Sequence, residues 1–590
     1  MAQTSKKRDK PRNLKKTLFR LAKYLYQFKW LLITCMLLSV ASNLLMLCGP
    51  LLSGYAIDAI QPGPGKVDFD KVFFYCGLML LFYLISSILS YLISILMIRL
   101  SQNVVRVIRQ DLFEKLAKLP VGFFDQNPIG DIISRFTYDT DNVNTSLAND
   151  TVQILSSLIT VFGSLIMMIL ISPELVLVFV ITVPASIFLT RFLIKRFQPL
   201  FSKRSRVLGE LNGLSEELTS GQQTIKVYNQ EDNTIERFDK MNREAVDAYY
   251  NAEYYGSMTG PSVNFINNLS LSLVSVLGAI LFLFQRISLG NLSSFVLYSR
   301  KFSGPINELA NIFTDIQSAL AAAERIFNLL DEENEVSDVD NAHVFESISG
   351  DVAFEHVKFG YDPERPIIHD LNLTADSGNL IAIVGPTGAG KTTIVNLLMR
   401  FYDPNEGVIS LDGFDIKKAT RKSLRKSYAM VLQGTWLFTG TIFENLAYGN
   451  DEATIEDVQR ATRAAHIDTF VEQLPNGYDT VLDEAGAGLS QGQKQLLTIA
   501  RAFLLDADLL ILDEATSNVD TQTERYVQDA MQELMADKTS FVIAHRLSTI
   551  VNADKILVVE SGNVVEQGTH EQLLAKNGVY AGLYQAQFEG

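Results

Sequence analysis

Residues 385–392 read GPTGAGKT, between the apolar run NLIAIV at 379–384 and the helical pattern IVNLLMRF at 394–401. The string fits GxxxxGK[ST], and strand, loop and helix stand in the order that a phosphate-binding loop needs. Gly385, Gly388 and Gly390 let the backbone turn its N–H groups toward phosphate oxygens, with Pro386, Thr387 and Ala389 completing the loop. Lys391 supplies a point charge, and the helix starting at Thr392 and Thr393 adds the positive end of its dipole. Thr392 is placed to ligate Mg²⁺. Such a loop predicts an α/β domain with the site at the carboxyl edge of its strands.

Downstream, LLILDEATSNVD at 509–520 is an apolar strand ending in two acids. Asp513 suits the shell of a Mg²⁺ ion. Glu514, one residue on, suits a carboxylate that polarises an attacking water, since phosphoryl transfer depends on positioning more than on covalent chemistry. Together with the loop, this pair points to ATP and Mg²⁺ as cofactors. Upstream, the pattern begins at DVAFEHVKFGY, 351–361, after the polar segment DEENEVSDVDNAH, 331–343.

The first 320 residues are of another kind. The chain has 590 residues, 47% of them hydrophobic although 20% are charged, and the apolar ones crowd into the N-terminal half. Six stretches are long enough to cross a bilayer as helices: 30–56, 72–99, 148–172, 174–195, 262–285 and 292–315. Long polar connections rich in Lys and Arg separate the second from the third and the fourth from the fifth. Placing these and the basic N-terminus on the cytoplasmic side satisfies the positive-inside rule, with short outer loops around Gln61, Ser172 and Ile287.

The expected domains are therefore a basic arm and amphipathic elbow at 1–29, a transmembrane domain at 30–325, a linker at 326–350 and an ATPase domain at 351–590. The arm lacks a cleavage site of the signal-peptide type and is expected to stay attached. A net charge of −15 argues against nucleic acid as a partner. Cys35, Cys48 and Cys76 have no metal-site spacing and read as packing thiols. Arg300 and Lys301 fall roughly 12 Å into the sixth stretch at the helical rise of about 1.5 Å per residue, a costly depth for cations. They read either as part of a substrate pathway or as partners of Glu308 and Asp315.

With LSQGQ at 489–493 between the two phosphate-site elements, the whole chain resembles the ATP-binding-cassette transporters, specifically type IV exporters with the membrane domain fused ahead of the ATPase. The resemblance implies six transmembrane helices, an α/β P-loop ATPase and ATP hydrolysis coupled to transport. It gives Tyr361 to adenine stacking, Gln433 in VLQGTWLF to Mg²⁺ and the attacking water, and His545 in VIAHRLST to the γ-phosphate. Ser490, Gly492 and Gln493 would contact the ATP of a second ATPase domain, and Ser517 to Asp520 would form the loop that crosses to it. FFDQNPIGDIISRFTYD, 123–139, and ELTSGQQTIKVYNQE, 217–231, are similar to the two coupling segments that link ATPase to membrane helices.

Two departures stand out. The usual LSGGQ has Gln491 in place of glycine, and LDEAGAG, 482–488, differs from the common VGExG form. A complete hydrolytic set beside a changed signature resembles the complete subunit of bacterial heterodimeric multidrug exporters. The expectation is thus a half-exporter in the bacterial cell membrane, with termini and ATPase cytoplasmic, paired with a different chain bearing a degenerate site and moving amphipathic drugs from the cytoplasm or inner leaflet. A lipid flippase, possibly homodimeric, is the alternative. An ATP-gated channel or a non-pumping regulator is the alternative of another class.

Overall fold

The computed structural model describes residues 13–60, 66–362, 364–432, 434–483, 486, 488–513, 520–544 and 547–588; for 306–311, 313, 547–548 and 587–588 it describes the backbone alone. The chain forms two units, Met1–Leu119 with Asn127–Glu333, and Pro120–Gln126 with Asn334–Gly590.

The first unit is helical. Its main helices are α1 (Leu14–Gln27), α2 (Lys29–Asp58) and α3 (Phe69–Leu116); short α4 (Val121–Gln126) belongs to the second unit. Then come α5 (Thr151–Ile171), α6 (Pro173–Ser220), α7 (Glu231–Ser257), α8 (Thr259–Leu283) and α9 (Leu289–Asp331). Five continuous helical stretches are long and apolar enough to cross a membrane: Lys29–Asp58, Phe69–Leu116, Ile129–Ile171, Pro173–Ser220 and Glu231–Leu283. The sixth expected span, within α9, does not reach that apolarity among the described residues. Its Phe295 and Tyr298 are instead fully buried against Leu47, Met168 and Leu175. A helix covered by its neighbours needs less lipid-facing apolar surface.

The polar connections are largely continuations of the spans: α3 and α6 run unbroken to Leu116 and Ser220. Nothing in those sequences caps a helix where it leaves the hydrocarbon. The linker expected from residue 326 likewise begins later. Helix α9 continues to Asp331, with Ile326, Phe327 and Leu329 buried, and Arg325 grips the buried Asp139 through two bonds of 2.9 and 2.5 Å. From Glu335 onward the segment docks on the second unit, where Arg425 binds Glu335 at 2.5 Å and Arg421 binds Asp338 at 2.8 Å.

Pro50 lies inside α2 and deprives the Met46 carbonyl of its helical N–H. Lys301 Nζ donates to that carbonyl at 3.2 Å. On the same face of α9, Tyr298 donates to the Leu47 carbonyl at 2.6 Å and Ser294 to that of Pro50 at 2.8 Å. Lys301 therefore caps a backbone break; the Glu308 side chain lies outside the described residues. Lys301→Met is expected to cost about 1 kcal/mol, seen as a lower thermal midpoint of the purified protein. In a Pro50→Ala background, which restores the missing N–H, that loss should shrink. An equal loss in both backgrounds would separate Lys301 from the proline.

The second unit is α/β. Its strands are β1 (Val352–Phe359), β2 (Ile368–Ala375), β3 (Leu380–Val384), β4 (Glu406–Leu411), β5 (Phe414–Asp415), β6 (Tyr428–Val431), β7 (Leu509–Asp513), β8 (Thr539–Ile543), β9 (Lys555–Glu560) and β10 (Asn563–Gly568). An antiparallel sheet runs β2-β1-β4-β5, and a six-stranded sheet runs β10-β9-β3-β8-β7-β6. In the larger sheet all neighbours are parallel except β9 and β10. The apolar runs LIAIV, LLILD and TSFVI form its buried centre, as strands covered on both faces must.

Candidate functional site

Parallel register decides what meets at the sheet's carboxyl edge. Ile383 pairs with Ile543, Ile543 with Asp513, and Leu512 with Val431. The ends of β3, β8, β7 and β6 thus lie side by side, although they are spread over more than a hundred residues of sequence. Gln433, Glu514, Ser517 and His545 lie outside the described residues; the first, second and fourth of these follow those strand ends by one or two positions.

The loop after β3 needs its glycines. Gly388 and Gly390 have φ of +83° and +107°, in the left-handed region, and Gly390 caps helix α10 (Lys391–Leu398). Lys391 Nζ folds back on the loop, donating to the Gly385 carbonyl at 2.8 Å and the Pro386 carbonyl at 3.1 Å. Burial pulls its ammonium below the usual lysine range, with the Asp513 carboxylate opposing. The loop is therefore a set of backbone N–H groups, a helix start and a partly desolvated cation, all of which favour an anion. Pro386, Thr387 and Thr392 are exposed, whereas Ala389 and Thr393 are buried.

Among the described residues no group of three His, Cys, Asp or Glu side chains could hold a metal ion. Thr392 and Asp513 form a sparse oxygen set. That suits Mg²⁺, which keeps several waters and takes other ligands from a bound phosphate.

Tyr361 joins this loop from the other sheet. Its hydroxyl lies 3.4 Å from the Thr393 hydroxyl and accepts from Asn396 Nδ2 at 3.1 Å. Its ring, 42% exposed, keeps an open face. Tyr402, which the sequence reading did not single out, packs edge-on against Tyr361 with centroids 4.9 Å apart. Its hydroxyl donates to Asp125 of α4 at 2.5 Å, and a Cβ at Gly122 would lie 2.9 Å from the Tyr402 ring. The expected first coupling segment therefore touches the ATPase through α4, one aromatic ring away from Tyr361. The signal was present only as an aromatic in RFYDP, 400–404.

The signature residues open α11 (Gln491–Leu505). Ser490 and Gln493 form a reciprocal capping box, Ser490 Oγ accepting from Gln493 N at 3.2 Å and Gln493 Oε1 accepting from Ser490 N at 2.9 Å. Both also hold their own helix, a local duty that the family pattern does not reveal. Gly492 is buried, and Gln491 donates to Thr435 Oγ1 of its own unit at 3.3 Å. Asp520 caps α12 (Thr521–Met535), accepting from Thr523 N at 3.0 Å, and that bond holds its carboxyl below the usual range.

Arg300 and Lys301 are not part of this site. Lys301 is committed to Met46, while Arg300 is exposed on α9 and makes no ion pair among the described residues.

Comparisons with known proteins agree with these two units. Residues 32–306 match the family model of the ABC transporter transmembrane region, and residues 368–517 match that of the ABC transporter. The chain is 43% identical over 99% of its length, and 96% of the other's, to an uncharacterized ABC transporter ATP-binding protein, YfiC, of Bacillus subtilis. It is 44% identical to a fatty acid ABC transporter ATP-binding/permease protein of Mycobacterium bovis, covering 88% of this chain and 82% of that one. An ATP-dependent lipid A-core flippase of Methylobacillus flagellatus is 37% identical, over 83% of each chain. The solved structure of a bacterial Atm1-family ABC exporter with ATP bound superposes with a TM-score of 0.77 at 30% identity, covering 95% of this chain and 98% of that one. The chain belongs to the ABC transporters, as a multi-pass half-exporter whose fused ATPase drives transport and which acts as a dimer.

Proposed function

We propose that this half-exporter moves an amphiphile with a long acyl chain, a fatty acid or a lipid, out of the cytoplasmic leaflet of a bacterial cell membrane. The observation that carries the reading is Arg300, an exposed cation on α9 without an ion pair among the described residues. An acyl carboxylate or phosphate would neutralise it at a depth where a bare charge is costly. Relatives named for fatty acids and for lipid A-core support the same substrate class. Export of amphipathic drugs, the first expectation from sequence, has less support, because no relative cited above carries such a name.

The ATP cycle then follows from the residues of the cassette. Tyr361 stacks on adenine, the loop 385–393 with Lys391 holds the phosphates, and Thr392, Asp513 and Gln433 share a Mg²⁺ ion that offsets phosphate charge. Glu514 polarises water and His545 touches the γ-phosphate. Ser490, Gly492 and Gln493 close the partner's site, with the Ser517–Asp520 loop beside them. Shifting a conformational equilibrium from 1:99 to 99:1 takes about 5.5 kcal/mol of differential binding, within reach of charge-assisted phosphate contacts. Asp125 and Tyr402 carry part of that shift toward the membrane helices.

The complete set Lys391, Asp513, Glu514 and His545 beside LSQGQ supports a different chain as partner. The Gln491–Thr435 bond favours a second reading, in which Gln491 is tied to its own unit and a copy of the same chain can close the site. Two measurements test these assignments. Proteoliposomes should accumulate a fluorescent fatty acid or lipid with ATP; accumulation of a cationic dye instead would reverse the substrate reading. Robust ATPase activity and transport by the chain expressed alone would remove the heterodimer.

A further inference from the structure

Helix α1 is clamped along one side. Arg20 binds both Asp331 oxygens at 2.7 Å, Tyr24 donates to Asp111 at 2.7 Å, and the Asn13 N–H donates to Glu324 at 3.0 Å. Its apolar stripe is not used for close packing. Leu18, Leu21 and Leu25, one face of the helix by their spacing, roof a cavity of about 200 Å³ whose far walls include Leu147, Ile154 and Leu320. The clamps tie the roof to α9 through Glu324 and Asp331 and to α3 through Asp111.

A single carboxylate lines this apolar space. Asp150 accepts from Ser146 Oγ at 2.6 Å, but among the described residues no Lys or Arg pairs with it. A hydroxyl satisfies one lone pair without balancing the charge, and an uncompensated charge beside apolar walls favours a cation. The exposed aromatics Phe19, Tyr26 and Trp30 on and beside α1 suit the membrane interface, which places the cavity where amphiphiles concentrate.

We propose that the cavity beneath α1 is a binding site for a single-tailed cationic amphiphile, its tail under Leu18, Leu21 and Leu25 and its ammonium against Asp150. The site is separate from Arg300, whose charge selects the opposite head group, and it does not rest on the transport reading. Its ligand acts on the elbow helix without having to be carried.

The test uses the full-length protein in phosphatidylglycerol nanodiscs and a dodecylammonium probe carrying a terminal diazirine, with the dodecanoate of the same design as comparison. Photolabelling mapped by mass spectrometry should fall on residues 18–25 and 316–320 with the ammonium probe. Asp150→Asn should lower it about tenfold, the effect of losing some 1.4 kcal/mol of pairing. Leu21→Trp, which fills the cavity, should abolish labelling while basal ATPase activity reports a folded protein. Equal labelling by both probes, insensitive to Asp150→Asn, would reduce the site to a groove for bilayer tails and overturn the proposal. Labelling that survives Leu21→Trp, or that falls elsewhere, would overturn it too. None of these results depends on whether fatty acids or lipids are transported.

Discussion

Replacing Glu514 by glutamine is expected to leave the exporter loaded with ATP and almost without turnover. Strand β7 ends at Asp513, whose carboxylate is close enough to Lys391 to act on its charge, so the residue after it follows directly on the phosphate site. Glutamine keeps the size of glutamate and removes the charge proposed to polarise water. The loop glycines, Lys391 and Tyr361, which would hold the nucleotide, are untouched. A general base contributes about 10²–10⁴-fold, and steady-state ATPase activity should fall by that factor while nucleotide binding by equilibrium dialysis stays near wild type. Unchanged turnover would take Glu514 out of the reaction. Loss of binding and turnover together would show that the substitution damaged the phosphate site as a whole.

The second large effect is expected where α2 and α9 meet in the membrane unit. A Cβ at Gly290 would stand 2.0 Å from the Gly54 carbonyl oxygen and 2.5 Å from the Asp58 carboxyl carbon; a Cβ at Gly54 would stand 2.1 Å from Ser294 Oγ. Asp58 accepts there from Ser288 Oγ at 2.6 Å and from Gly290 N at 2.7 Å, capping α9. Because the obstacle is backbone, Gly290→Leu must push α2 and α9 apart. The bonds of Ser294, Tyr298 and Lys301 to α2 would stretch with them. Overpacking costs about 1–3 kcal/mol and each interhelical hydrogen bond in a membrane about 0.6 kcal/mol, so the sum is several kcal/mol. The thermal midpoint from size-exclusion of heated samples should drop sharply, or folded protein should not be recovered, with Gly290→Ala intermediate. A wild-type midpoint for Gly290→Leu would mean that the two helices do not cross this closely.

The ATPase was legible because its signals are contiguous. GPTGAGKT and LLILDE each carry their chemistry within a few residues, and the alternation around them fixes strand and helix before any tertiary contact forms. Six membrane segments were marked from length and apolarity, and among the described residues the sixth is less apolar than the other five. Arg300, Lys301 and the serines of α9 lower its hydropathy, and only burial among other helices explains how it fits there. The linker was misread at its start because six more residues of α9 pack as helix before the chain leaves the first unit.

Substrate and site details divide along the same line. ATP-driven export follows from motifs whose meaning survives out of context, because backbone N–H groups around a phosphate require glycine wherever they occur. Lys301 has meaning only with the proline break in α2, Tyr402 only with Asp125, Gln491 only with Thr435, and Asp150 only beneath the stripe of α1. Each of these pairs is separated by tens to hundreds of residues, and no local rule of propensity or periodicity links their positions. A chain's neighbours in sequence specify its helices, strands and phosphate loop. Which carbonyl a lysine caps, and which cavity a carboxylate lines, is decided when distant segments pack and a buried polar group must find whatever partner the fold brings to it.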